Sequence, residues 1–178
     1  MNLSSMLSGI LSSIIASFVF LFIVLIFFKP KMRISPFIIK GKFGKDEQAD
    51  CFFIKLINVS LFSAYDLHFE LFEVDHYPAV NGHINHRFKP IEAKLNHISH
   101  VPGYRPSWLI KNAPYAIRVR TSEDLLKIIE DEQKSVMLKV SLRHGLTGLV
   151  RVISKEYVEV SQIKSGKFGY GLKFVNIK

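Results

Sequence analysis

The chain has 178 residues, of which 48% are hydrophobic, and yet its formal net charge at pH 7 is +9. Residues 1–28 contain no Asp, Glu, Lys or Arg, so all 24 basic and all 15 acidic side chains lie in residues 29–178. This composition excludes a disordered chain, a collagen-like repeat and, because there is a single cysteine, a disulfide scaffold. The charged part is long enough for one compact domain with its own core.

The first predicted element is a transmembrane helix within residues 1–28. Residues 10–28 read ILSSIIASFVFLFIVLIFF, and an apolar helix of this length covers the roughly 30 Å hydrocarbon core of a bilayer. A cleaved signal peptide is the alternative interpretation. However, no basic residue precedes the apolar run, the run is long for a signal peptide, and no small-x-small cleavage site follows it. We therefore expect an uncleaved single span.

Small residues repeat at i+4 along this helix and share one face: Ser5, Ser8, Gly9, Ser12, Ser13, Ala16 and Ser17. Such a face is typical of helices that self-associate, and in a ring of protomers it could line an aqueous pore. The opposite face, with Ile10, Ile14, Phe18 and Leu21, would then meet lipid. The alternative interpretation is that these serines merely lie at the outer interface, where polarity costs little. A pore would be narrow and hydrophobic beyond Ser17.

A basic series follows the span and precedes the first acidic residue: Lys29, Lys31, Arg33, Lys40, Lys42 and Lys45. By the positive-inside rule these cations indicate the cytoplasmic side of the inner membrane, with the N-terminus outside and the C-terminal domain in the cytosol. The lone Cys51 agrees with a reducing compartment. The cations can also contact anionic lipid headgroups.

The periodicity then changes, and residues 29–45 are predicted to be a basic linker with the first strand, ahead of a β-sandwich over 46–178. Alternating apolar and polar residues predict eight strands: Ile34–Lys40, Cys51–Val59, Tyr65–Val74, Arg87–Lys94, Tyr115–Arg120, Ser135–Arg143, Leu149–Val160 and Phe168–Ile177. One helix is predicted over Ser122–Gln133, capped by Thr121. This pattern indicates a mainly-β, Greek-key or immunoglobulin-like sandwich with one short helix.

Five of the seven histidines fall between His76 and His100, in a segment rich in Pro, Asn and Gly. Paired histidines can bind zinc, but no cysteine or acidic ligand accompanies them, so an exposed loop with no metal is the expectation. A pH-responsive loop is a further alternative. We expect no cofactor.

Arg105 and Trp108 have the composition of an interface hot spot, although a single Trp equally suits the core of a sandwich.

The FGYG sequence at 168–171 is similar to part of a potassium-channel filter but lies far from the span, so its glycines are expected to mark a bend in the last strand.

Motifs of the common enzyme classes are missing from the sequence. There is no phosphate-binding Gly-rich loop, dinucleotide Gly pattern, nucleophile elbow or His-Glu-x-x-His. Cations are dispersed and RNA-platform signatures are lacking, which disfavours direct nucleic-acid binding. We therefore expect a protein that is not an enzyme.

Two resemblances add to these expectations. LKVSLRHGLTG and KEYVEVSQIKSGKFGYGLKF, within Val136–Phe174, resemble the last strands of the immunoglobulin-like cytoplasmic sandwich of inward-rectifier potassium channels, which implies a fold and not a channel function. The whole layout is similar to the small membrane accessory protein of type VI-B CRISPR systems. That resemblance implies a ring-shaped oligomer, a membrane pore and loss of membrane potential in phage defence beside an RNA-guided nuclease. The ribonuclease motif sometimes claimed for that family, an arginine followed four to six residues later by histidine, is missing here.

The leading hypothesis is therefore a homo-oligomeric inner-membrane protein that forms or gates a pore as an antiviral accessory, with an RNA-guided nuclease or its RNA product as partner. The alternative is a membrane-tethered, non-enzymatic domain that binds a protein or nucleic acid.

Overall fold

The computed structural model describes residues 3–27, 31–42, 50–79, 82–106 and 112–174. Over these residues the chain forms an apolar N-terminal helix followed by a mainly-β domain of two sheets with one further short α-helix, which confirms the predicted fold class. The elements in chain order are α1 (Leu3–Phe27), β1 (Met32–Ile34), β2 (Ile38–Lys42), β3 (Asp50–Asn58), β4 (Ala64–Pro78), β5 (Ile84–Ile91), β6 (His97–Val101), β7 (Ala116–Thr121), α2 (Leu125–Ile129), β8 (Lys134–His144), β9 (Val150–Tyr157), a 3₁₀ turn (Val160–Gln162) and β10 (Ile163–Ser165).

Helix α1 is the one described helix that is long and apolar enough to cross a membrane, by length and composition. The qualifying stretch is Met6–Val24, 19 residues, and none of it is buried against the rest of the chain. A helix satisfies its own backbone hydrogen bonds, so this segment suits a hydrocarbon environment.

The first sheet is built around β3. Strands β1 and β2 pair antiparallel with successive halves of one edge of β3, and β7 pairs antiparallel with its other edge. Strand β10 adds to β2 in parallel, with Ile163 opposite Ile38.

The second sheet is built in the same way around β4. Strands β6 and β5 pair with successive halves of one edge of β4, β8 pairs with the other edge, and β9 pairs with β8. Consecutive strands β3 and β4 thus belong to different sheets, while β3 pairs with β7 and β4 with β8. These are the B–E and C–F pairs of an immunoglobulin-like Greek-key sandwich.

The core lies between the two sheets, and β8 contributes its alternating apolar face. Val136, Leu138, Val140 and Leu142 are all at most 1% exposed, as their period of two predicts. Each such side chain contributes roughly 1.5–3 kcal/mol by leaving water. Tyr157 joins the sheets at one edge, because its buried hydroxyl donates a 2.7 Å hydrogen bond to the Ser35 carbonyl.

The strand predictions were wrong in three respects. The first predicted strand is two short strands, β1 and β2, because Pro36 has no amide to continue the pairing with β3 and the Phe37 amide donates to the Ser35 hydroxyl at 3.1 Å. Strands β6 and β10 were missed. The last predicted strand is not formed over 168–174, where the chain instead makes a turn, and its final residues 175–177 lie outside the described part of the chain.

The second helix is shorter than predicted and has a different cap. Its N-cap is Asp124, whose carboxylate accepts from the amides of Leu126 and Lys127. Thr121 does not cap the helix, because it ends β7 and its hydroxyl donates to the Glu92 carbonyl at 2.7 Å.

Candidate functional site

The small-residue face of α1 is exposed in the single chain. Among its members, Ser8, Gly9, Ser12, Ser13, Ala16 and Ser17 are exposed, and the side chain of Ser5 lies outside the described residues. Apart from its two chain neighbours and the backbone of its own helix, no atom lies within 4 Å of the place where a Cβ on Gly9 would stand. This side of the helix therefore offers room for another backbone to approach.

A groove of about 230 Å³ marks the border of the small-residue face. Ser13 and Ser17 form one side, and the large side chains Ile14, Phe18 and Leu21, which were assigned to the lipid face, form the other. The Ser17 hydroxyl donates a 2.9 Å hydrogen bond to the Ser13 carbonyl of its own helix. That hydroxyl is therefore satisfied without a neighbouring chain, so any association at this point depends on packing more than on an interhelical hydrogen bond.

The predicted headgroup cations have different environments. Lys31 is exposed, and Arg33 lies over the Phe174 ring, 5.2 Å from its centroid. Lys40 pairs with Asp50 at 3.2 Å, so it is already engaged within the domain. Lys42 is exposed. Lys29 and Lys45 lie outside the described residues.

Of the predicted interface pair, Arg105 is exposed, and Trp108 lies outside the described residues.

A basic cavity lies on the outer surface of the first sheet. It measures about 380 Å³ and is lined by Ile39, Gly41, Lys42, Phe53, Arg118, Gly166, Lys167 and Phe168. Three of these are cations, and the described lining includes no carboxylate. The volume falls in the range of small-molecule sites, and the charge favours an anion.

Next to this cavity, the buried Lys55 holds the turn that follows β10. Its ammonium donates to the carbonyls of Gly169 and Gly171 at 2.7 Å and of Lys173 at 2.8 Å. Burial and the neighbouring Arg118 lower the pKa of Lys55 from 10.5 to about 8. The three carbonyls act in the opposite sense, because they stabilise the charged form.

A second cavity, of about 220 Å³, adjoins this lysine. Its lining includes Lys55, Asn112 and Tyr170, and it shares Arg118 with the basic cavity. Sequence reasoning did not identify Lys55 or Arg118. The available signal was a lysine in the middle of an otherwise apolar strand, since a buried cation needs dedicated partners.

Four of these five histidines lie on strands, so the predicted loop over 76–100 was wrong, whereas four of the five, all except His76, are exposed as expected. His76 is in β4, His86 in β5, and His97 and His100 in β6, while His83 precedes β5. They make pairwise ring contacts across strands, with centroids 4.9 Å apart for His76 and His86 and 4.6 Å apart for His68 and His97.

One of these pairs extends into a hydrogen-bonded cluster. His76 Nδ1 lies 2.9 Å from His86 Nδ1, and His76 Nε2 lies 2.9 Å from the Ser135 hydroxyl and 3.2 Å from a Glu156 carboxylate oxygen. A catalytic triad needs the hydroxyl and the carboxylate on opposite ring nitrogens. Here both share Nε2, and Ser135 is fully buried, so the cluster does not have the geometry of an activated nucleophile.

Metal ligands do not converge in the described residues: no group of three or more His, Cys, Asp or Glu side chains there could hold a metal ion. Cys51 is buried on β3, with its sulfur 4.0 Å from the Ser122 hydroxyl.

No protein-family model matches the sequence, and the search of curated proteins finds no match. Among solved structures, the chain is similar to the X-ray structure of a Northeast Structural Genomics Consortium target, SoR45. The TM-score is 0.35 and the identity 10%, and the match covers 72% of this chain and 83% of that chain. A similarity of this size carries no argument about function.

Proposed function

We propose that this protein is a single-span protein of the inner membrane whose helices associate through the small-residue face of α1 into a homo-oligomer that forms or gates a pore. In this proposal the β-domain lies in the cytosol and controls the pore. The observation that carries the proposal is the exposed arc of small side chains on α1, where the site of a Gly9 Cβ has no neighbour within 4 Å.

The membrane location is supported by the composition and exposure of α1. Its 25 residues include no charged side chain, and every large apolar residue from Met6 to Ile23 is exposed in the single chain. In water these side chains would form an exposed apolar surface far larger than soluble monomers carry. In a bilayer the same surface contacts lipid tails and has no free-energy cost of hydration. The cations Lys31, Arg33 and Lys42, all exposed after the helix, support a cytosolic β-domain.

The two halves of α1 support a pore. In a ring, one border of the small-residue face would pack against the next helix and the rest of that face would turn inward, so that serine hydroxyls would line the outer half and tolerate water. Beyond Ser17 the side chains are large and apolar, from Phe18 to Phe27. Such a constriction closes by dewetting and opens when helices separate slightly.

The biological setting is proposed from the resemblance in layout to the type VI-B CRISPR accessory. Under that proposal the protein depolarises the membrane during phage defence, on a signal from an RNA-guided nuclease or its RNA product. The cytosolic domain would receive the signal and transmit it to α1.

The test is ion flux through proteoliposomes that contain the full chain. We expect a potassium-driven change of membrane potential with the wild type and its loss with Gly9→Leu or Ser13→Leu, because a large side chain on the small-residue face separates the helices. The matched control is Leu11→Phe, which adds bulk on the opposite side and should leave flux unchanged. Flux that survives both small-face variants would contradict the proposal.

A second candidate function, an anchored binding module, is favoured by the basic cavity. Its cations Lys42, Arg118 and Lys167 suit a phosphate-bearing ligand. ATP and inorganic pyrophosphate, titrated into the detergent-solubilised chain, should raise its unfolding temperature, and Arg118→Gln should reduce that rise severalfold while the surface control Lys127→Gln does not. A chimera with an unrelated span in place of residues 1–28 separates the two functions. It should keep full activity if α1 is only a tether for a binding module, and it should lose activity if α1 forms the pore.

A further inference from the structure

Three loops meet at the end of the sandwich where the chain arrives from α1. We call this the entry end and define it by residues 31–33, 59–66, 101–106 and 143–151. It contains the start of β1, the loop between β3 and β4, the segment after β6 and the hairpin between β8 and β9.

Backbone hydrogen bonds connect these loops to one another. The Val59 amide donates to the Lys31 carbonyl at 2.9 Å, and the Tyr104 amide donates to the Ser60 carbonyl at 2.7 Å. The hairpin joins them because the Gly145 amide donates to the Ser63 carbonyl at 2.9 Å. The entry end is therefore one connected surface.

Two leucines project from this surface. Leu61 is 79% exposed and Leu146 is 56% exposed, and Leu61 has the largest exposed fraction among the large apolar side chains of the described residues. An exposed apolar patch with a polar rim is typical of a surface that contacts a partner or a membrane.

The position of Leu61 is built into the loop. The buried Asn58 side-chain amide donates to the carbonyls of Phe62 and Pro102, both at 3.0 Å, and the Ser60 hydroxyl donates to Phe62 at 2.6 Å. These bonds fix the loop from inside. Leu61 is therefore held outward by a satisfied polar network.

The charge of the entry end is positive. Lys31 and Arg105 are exposed, and the one carboxylate in the four ranges that define this surface is Asp66, which pairs with Arg143 at 3.3 Å. Leucines at the tip with cations around them match the interface of a bilayer that contains anionic lipid, where apolar side chains enter the headgroup region and cations remain with the phosphates.

The covalent chain keeps this surface near the membrane. Helix α1 ends at Phe27, and Lys31 is already bonded to the loop after β3. Four extended residues span at most roughly 14 Å. If α1 crosses the membrane, the entry end cannot leave its vicinity.

We infer that the entry end is a membrane-docking surface, with Leu61 and Leu146 inserted at the headgroup level of the leaflet that α1 exits, on an anionic phospholipid surface. The inference rests on the proposed transmembrane position of α1, but not on the oligomer or the pore. It assigns the β-domain a fixed orientation, with the far end, where β4 passes into β5, directed away from the lipid.

Spin labels on the full chain test this orientation. In a Cys51→Ala background, single cysteines replace Leu61, Leu146 or, as the control at the far end, Ile84, which is 63% exposed. The protein is reconstituted in vesicles of phosphatidylethanolamine and phosphatidylglycerol. We expect labels at 61 and 146 to collide with oxygen severalfold more than with a water-soluble nickel chelate, and the label at 84 to show the reverse.

Two further measurements make each outcome decisive. Alkaline extraction of the same vesicles tests α1 by itself: if the chain is released, the span fails and the inference fails with it. If the chain stays but the labels at 61 and 146 behave like the label at 84, docking alone is overturned. Strong spin–spin coupling between labels at 61 or 146 of neighbouring chains would assign the surface to a second copy and overturn lipid docking.

A substitution tests the leucines directly. Leu146→Asp, read by the label at 61, should increase nickel access at 61 severalfold because the loop is repelled from the headgroups. Leu146 is exposed, so the variant keeps its fold, and circular dichroism checks this. Unchanged nickel access at 61 would contradict the docking surface.

Discussion

The Lys55 ammonium donates a 2.7 Å hydrogen bond to the Gly171 carbonyl, and so attaches the last described turn to the outer face of β3. Gly171 has φ +59, a conformation that favours glycine and lets the turn direct its carbonyls at one point. A sequence-local turn is thus held by a residue more than a hundred positions earlier.

Replacing Lys55 with Met should destabilise the domain and release this turn. The variant keeps the aliphatic volume but removes three hydrogen bonds and leaves three carbonyls without their donor, which costs about 2–4 kcal/mol. Denaturant unfolding measures the loss, and limited proteolysis should cut the variant within residues 166–174. The control Lys127→Met alters an exposed lysine on α2. Equal stability of Lys55→Met and the wild type would show that the ammonium does not hold the turn.

His144 should make stability fall in mild acid. Burial lowers its pKa from 6.5, and among the described residues its Nε2 has no hydrogen-bond partner. The unfolded chain therefore binds a proton at His144 more readily than the folded chain, so stability is lost as the pH falls through 6.5 toward the folded pKa.

The measurement compares unfolding of the wild type and His144→Gln at several pH values. The free energy of unfolding of the wild type, relative to that of His144→Gln, should decrease by up to about 1.4 kcal/mol per pH unit as the pH falls from about 7 to about 5. The control His100→Gln changes an exposed ring and should follow the wild type. Parallel curves for the wild type and His144→Gln would refute this origin of the acid sensitivity.

Gly103→Ala should weaken the entry end. A Cβ at this position would lie 2.2 Å from the Leu61 carbonyl oxygen, so the backbone of one loop must move. We expect a loss of about 1–3 kcal/mol in the free energy of unfolding. Gly41→Ala is the matched control, because its Cβ would make an ordinary 3.4 Å contact with the Gly166 carbonyl. A smaller loss for Gly103→Ala than for the control would contradict this close packing.

The sequence allowed prediction of those elements whose local pattern and burial agree. The run without charge predicts α1, and the alternation at 136–142 predicts β8 with its buried face. The immunoglobulin-like sandwich follows from the number and spacing of such strands, and the strand pairing has this connectivity.

Strands whose faces carry polar residues could not be found in this way. Strand β6 reads HISHV, and three of its five residues are exposed, so it has one buried apolar position and no clear period. Strand β4 continues through His76 to Pro78 as a ribbon with β5, whose residues are almost all exposed. The histidine-rich segment was predicted to be a loop because β5 and β6 are strands through backbone pairing with β4, and not through a buried apolar face that the sequence would show.

The site residues on the β-domain depend on contacts between distant parts of the chain. The last predicted strand is not formed over 168–174 because its carbonyls bind Lys55 instead of a neighbouring strand. The basic cavity combines residues of β2, β3, β7 and the turn after β10, which share no local pattern. By contrast, the small residues of α1 are a local repeat, and the sequence alone identifies them.

The mass of the particle extracted in detergent tests the central claim most directly. Native mass spectrometry or light scattering with detergent correction should give one defined assembly of the 20.4 kDa chain that is larger than a dimer. Ser13→Leu should reduce that assembly, and Leu11→Phe should not. A monomeric wild-type particle at every protein concentration, with the β-domain folded, would contradict association through α1 and with it the pore.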